Sequence, residues 1–152
     1  MPDLGWNLLE EVLQIERGQR ARALGRLPEC DVSPEWLMVE MMAQTAGLAF
    51  GSVFDFNSDV VFAKMAEASF DFLPAAGAGL EIEASAEELR EEGCWFQAKI
   101  SVQGRPAAEA RLMLLNAGRL RPASGRSITF HENFMKHYRI LEKIVSPARQ
   151  TP

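Results

Sequence analysis

The 152-residue sequence predicts an α+β domain in which an antiparallel sheet wraps one long buried helix. Three observations carry that expectation. Residues 36–54 are apolar nearly all round and directly follow a helix start signal. From Phe70 onward, apolar residues alternate with polar ones in segment after segment. Glycine and proline separate those segments at short intervals, which suits hairpins and leaves no room for parallel crossovers.

Taken in order, Trp6–Glu16 comes first, and Leu9, Val12, Leu13 and Ile15 fit neither period, so helix and strand are both open. Arg20, Arg22 and Arg26 then share a two-residue phase, broken by Ala21 and Ala23, as in a strand with one charged face. With Arg17 they form a basic patch, whose plain reading is a solvated strand face and whose sharper reading is a dock for an acidic partner. Ser33 supplies a helix cap, Pro34 suits the first turn and Glu35 complements the helix dipole. Along the helix, Ala43, Ala46, Gly47, Ala49 and Gly51 allow neighbouring backbone to come close. Glu40 and Gln44 in its middle argue against a membrane span.

Strands are expected at Phe70 and Phe72, at Leu80 to Ala84, at Phe96 to Val102 and at Ala108 to Leu114. Pro74, Gly77 and Gly79, then Gly93, then Gly104 and Pro106 mark the turns. Gly118–Arg126 reads as a linker, and Thr129 with Glu132 as a capping box that opens a last helix. Phe130, Phe134, Tyr138, Leu141 and Val145 would form its apolar stripe. The expected division is a domain over 1–118, a linker over 119–128 and a helical extension over 129–152 packed on the domain or on a second subunit.

Composition narrows the functional classes. A net charge of −5 argues against non-specific nucleic-acid binding, which needs a cationic surplus. Cys30 and Cys94 stand in unrelated segments, so neither a disulfide framework nor a metal site is expected. No cofactor is implied, and the N-terminus carries no secretory pattern, so a cytoplasmic location is expected.

The chemistry concentrates in Leu37–Gly47, LMVEMMAQTAG, where a carboxylate stands in a greasy helix. Glu40 and Gln44 are four residues apart and therefore share a face, so the amide can bond the carboxyl group or a ligand beside it. Burial would raise the pKa of Glu40 and let it exchange a proton near neutral pH. The plainer alternative is a buried polar contact at a subunit seam.

This helix resembles the central-helix motif of the bacterial 3-hydroxyacyl-carrier-protein dehydratases, with Glu40 at the position of the family's catalytic carboxylate and Gln44 at that of its glutamine. Leu8–Gly18 (LLEEVLQIERG), Phe62–Gly79 (FAKMAEASFDFLPAAGAG) and Ala107–Leu115 (AAEARLMLL) are similar to further family segments in the same order. The resemblance implies a hot-dog fold, an acyl thioester on carrier protein or coenzyme A as ligand, and a homodimer or heterodimer of hot-dog subunits. It places Glu40 as catalytic residue, Gln44, Trp36, Met41 and Gly47 around the substrate, and Arg20, Arg22 and Arg26 as a carrier-protein dock.

One departure bears on activity. The family's histidine, which removes the substrate's α-proton, lies in a loop that corresponds here to Gly25–Pro34 (GRLPECDVSP), shorter and without histidine. Arg26 falls opposite it and cannot act as a base. Cys30 and Asp31 in the loop could reach the pocket, while His131 and His137 sit on the expected last helix and do not face the same way. The short loop is similar to that of histidine-lacking dehydratase-like partners of aryl-polyene-type pathways. Three readings follow: a dehydratase-like subunit that contributes Glu40, a thioesterase in which Glu40 orients water, or a non-catalytic acyl-carrier binding module.

Overall fold

The computed structural model describes residues 7–118, 130 and 132–145. The first element is a strand, β1 (Leu9–Glu16). Its pairing register shifts between Leu9 and Glu11 and again between Val12 and Gln14. Each bulge inserts one residue, so the inward positions fall at Leu9, Val12 and Ile15, three apart instead of two. That spacing is why neither period fits the sequence here.

A turn at Gly18, where φ is +68°, returns the chain into β2 (Arg20–Arg26). Ala21 and Ala23 are fully buried beneath the helix, and their small size leaves room for it. Helix α1 (Pro34–Val53) starts as expected: Ser33 accepts from the Trp36 N–H, and Pro34 occupies the first turn. The polar side chains buried in it turn back on their own backbone, Thr45 to the Met41 carbonyl and Ser52 to that of Ala49. At its end, the Ser52 hydroxyl accepts from the Gly18 N–H, and Arg17 donates to the Ser52 carbonyl and pairs with Asp55 at 2.6 Å. The β1–β2 turn thus caps α1.

Four longer strands follow: β3 (Asp59–Phe70), β4 (Gly79–Leu89), β5 (Gly93–Val102) and β6 (Arg105–Gly118). The expected inward positions Leu80, Ile82, Ala84, Phe96, Ala98, Ile100, Ala108, Ala110, Leu112 and Leu114 are buried, while Val102, expected with them, is only partly buried at the end of β5. At β3 the expectation needs correcting: the strand starts at Asp59 and ends at Phe70, and Phe72 lies beyond it. Its phase is broken by register shifts against β6 and its residues are mostly exposed, so alternation is masked.

The chain forms one seven-stranded sheet in the order β3-β6-β5-β4-β2-β1-β7, where β7 is Ile144–Val145. Every pairing is antiparallel except β7 on β1. Helix α1 packs against β1 through β6 and fills the concave side. Phe50, fully buried, stacks edge-on with Phe54 at 5.1 Å and with Phe96 at 6.3 Å, joining helix to sheet. No helix among the described residues is long and apolar enough to cross a membrane.

The expected last helix is two short ones. Helix α2 (Glu132–His137) ends at a turn in which Arg139 has φ +53°, and α3 (Ile140–Lys143) runs straight into β7. Phe130, Phe134 and Tyr138 do pack inward, but the turn brings Ile140 into the core and leaves Leu141 68% exposed. Val145, assigned to the same stripe, pairs instead with Glu16 of β1. Tyr138 donates to the Leu9 carbonyl, so the extension grips β1 at both ends. The expected linker and the capping residue Thr129 lie outside the described residues.

Candidate functional site

With four strands between it and the extension's grip on β1, the β3 side of the concave face is less well covered: Phe62 and Met65 stay more than a third exposed. Between this margin and α1 lies a pocket of about 140 Å³. Its polar groups are Asn7, Glu40 and Gln44, and its apolar lining includes Ala43, Gly47, Val60, Phe62 and Leu114. Phe130 and Phe134 complete it from the C-terminal extension.

Glu40 and Gln44 act together, as their spacing predicts. The Gln44 amide nitrogen donates to Glu40 Oε1 at 3.1 Å, while Gln44 Oε1 accepts from the Leu8 N–H at 2.9 Å. A main-chain donor just ahead of β1 therefore orients the amide, and the amide orients the carboxyl group. Burial pushes the Glu40 carboxyl above its ordinary value, and the Gln44 hydrogen bond offsets part of that rise. The net effect is a larger protonated fraction than a solvated glutamate has, which is the state needed to give a proton to a leaving oxygen.

The other expected substrate residues divide. Gly47 lines the pocket, and no atom lies within 4 Å of where a Cβ would stand. Trp36 lies one turn ahead of Glu40 on the same helix stripe, but is 63% exposed and does not line the pocket. Met41 is fully buried on another face of the helix, with its sulfur beneath Gly25 of β2. It belongs to the core.

Arg20, Arg22 and Arg26 do share the outer sheet face, in company with carboxylates. Arg20 contacts Glu16 at 2.6 Å and Glu83 at 3.6 Å, and Arg26 pairs with Glu10 at 3.1 Å. Arg26 also donates to the Gly77 carbonyl, tying the end of β2 to the loop before β4. The face is mixed in sign, so an acidic partner would compete with Glu10, Glu16 and Glu83 for these guanidinium groups. A wider depression of about 220 Å³ on that side is lined by Arg22 and Lys99 with Glu81 and Glu83, whose charges offset one another.

No candidate base joins Glu40 among the described lining residues. Cys30 and Asp31 are exposed and outside the pocket, as is His137, whose ring meets Tyr138 edge-on at 4.8 Å. His131 lies outside the described residues. Cys94 is buried, and burial holds its thiol at about 11, far from a reactive thiolate. No cluster of potential metal ligands occurs among the described residues.

The neighbours Leu8, Val60, Phe62, Leu114 and Phe134 escaped the sequence reading as site residues. Leu8 acts through its backbone, and the strand residues meet the helix only through long-range register. Phe130 and Phe134 were visible as an apolar stripe, though not as pocket walls.

No protein-family model matches the sequence, and no curated protein matches it. Solved structures do share its fold. The dehydratase heterocomplex ApeI:P from Xenorhabdus doucetiae aligns with a TM-score of 0.65 at 19% identity, over 74% of this chain and 84% of that one. A Streptococcus mutans protein bound to acetyl CoA aligns at 0.63 and 12% identity, over 75% and 92%. A hypothetical thioesterase from Streptococcus pneumoniae with coenzyme A aligns at 0.59 and 15% identity, over 71% and 88%. With the sheet order and enclosed helix, these likenesses establish an α+β hot-dog fold.

Proposed function

We propose that the chain is a dehydratase-like hot-dog subunit that binds an acyl thioester, on carrier protein or coenzyme A, with Glu40 as its proton donor. The observation that carries this reading is the Leu8–Gln44–Glu40 relay at an apolar pocket, because it holds a carboxyl group oriented and biased toward protonation. Structural neighbours that include a dehydratase heterocomplex and proteins bound to acetyl CoA or coenzyme A support the same ligand class.

In the forward reaction a 3-hydroxyacyl group sits with its hydroxyl against Glu40. The carboxyl proton passes to that oxygen, the C–O bond breaks and water leaves. An α-proton goes to a base while its bonding pair becomes the new C=C bond. Glu40 supplies the first transfer, and no described lining residue serves the second. The base then comes from a second hot-dog subunit, and β3, which ends the sheet with Phe62 and Met65 exposed beside the pocket, is the edge for it to join.

The test is turnover of a 3-hydroxyacyl-carrier-protein thioester by the purified chain beside Glu40→Gln, following enoyl product, free thiol and bound acyl carrier. Binding without conversion is the expected result. Enoyl product from the chain alone, lost in the variant, would overturn the missing-base assignment. Free thiol that depends on Glu40 would make the chain a thioesterase, and an unbound thioester would refute acyl binding altogether.

A further inference from the structure

The C-terminal extension supplies two walls of the pocket beside Glu40, and those walls are fixed. Phe130 presses on α1 at Gly51, where a Cβ would stand 2.4 Å from the ring's Cζ. On one side it meets the buried Phe56 edge-on at 5.0 Å, and on the other Phe134 at 5.9 Å. Phe134 is backed by Tyr138 at 4.9 Å, whose hydroxyl is tied to the Leu9 carbonyl. An unbroken row of rings therefore runs from the end of α1 to the start of β1. Neither pocket-facing ring can swing aside without breaking contacts behind it. Beside them, Gly47 leaves the helix wall recessed, and the pocket, open on one side, holds only about 140 Å³.

We propose that Phe130 and Phe134 are specificity-determining residues that limit the acyl group to a short chain or a compact planar group. An apolar cavity of about 150 Å³ accommodates a benzene-sized solute, so the ceiling is roughly six carbons. A long alkyl chain would have to displace the aromatic row. This limit rests on the reading that the pocket beside Glu40 takes the acyl group.

Calorimetric titration of the full chain with butyryl-, hexanoyl-, benzoyl- and dodecanoyl-CoA tests it. Hexanoyl- and benzoyl-CoA are expected to bind at least about tenfold more tightly than dodecanoyl-CoA. Phe134→Ala should shift the hexanoyl-to-dodecanoyl ratio by about tenfold toward the long chain. Gly47→Leu, which fills the recess from the helix side and strains no backbone, should weaken hexanoyl and benzoyl binding with the fold intact. If Phe134→Ala loses its circular dichroism signature, Phe134→Leu and Gly47→Leu decide the matter. Equal affinity for hexanoyl and dodecanoyl in the unaltered chain, or a ratio unmoved in the folded variants, overturns the limit alone. No binding of any of the four overturns the acyl reading beneath it.

Discussion

At the scale of single residues, Glu40 is the group whose state can be read most directly. Its carboxyl pKa is higher folded than unfolded, so folding favours the protonated form. That contribution is complete below the ordinary value of 4.5 and is lost as pH rises through the folded pKa. Glu40→Gln cannot ionise, so urea melts should show the variant gaining stability relative to the parent as pH rises from about 4 to about 8. A gap that stays constant with pH would mean that Glu40 titrates as a solvated carboxylate. Gly47 offers the converse experiment. Alanine there meets open space and removes a mid-helix glycine, so Gly47→Ala should stabilise by about 0.5–1 kcal/mol. The same methyl group enters the pocket and should weaken acyl binding, so stability and affinity move in opposite directions. Glu40 and Gln44 were legible in the sequence because a carboxylate and an amide one turn apart stand out in an apolar run. Met41, expected beside the substrate, lies in the core instead of lining the pocket, because the next residue along a helix turns about 100° away. The Leu8 N–H, being backbone, leaves no mark in a sequence.

Among the elements, α1 was the most legible, since its cap, first-turn proline and small residues all point the same way. The extension was the least. Phe130, Phe134 and Tyr138 keep helical spacing, but the left-handed Arg139 ends that phase, and Ile140 takes the inward place assigned to Leu141. How firmly these pieces hold one another is open to two substitutions. Gly51→Ala should destabilise by about 1–3 kcal/mol in chemical denaturation, because the ring of Phe130 must move to admit the methyl group. A neutral or stabilising result would place Phe130 elsewhere in solution. Tyr138→Phe leaves the Leu9 carbonyl without this donor and should cost about 1–3 kcal/mol. The phenol is held at about 12 by burial, so the difference should stay constant across neutral pH.

For the molecule as a whole, the layers were legible and the strand order was not. Alternation marks a strand without naming its neighbour, and β2 pairs with β4 across the entire helix. Strand order decides how subunits can meet. If β3 is the joining edge, then in the absence of a base-bearing partner light scattering should find the purified chain paired with itself as a dimer, and Met65→Lys should shift it toward monomer. An unchanged mass would move the contact away from β3. The grip of the extension on β1 has its own effect at this scale. A sheet with two free margins can add copies at either end without limit, as filaments do. Here Tyr138 occupies the Leu9 carbonyl and β7 covers Ile15 and Glu16, so the far margin is obstructed at both ends. Growth by strand addition can then proceed from one side only, and two chains joined there by a twofold axis leave each other no further place to add. The tail that walls the pocket would also make such an assembly finite.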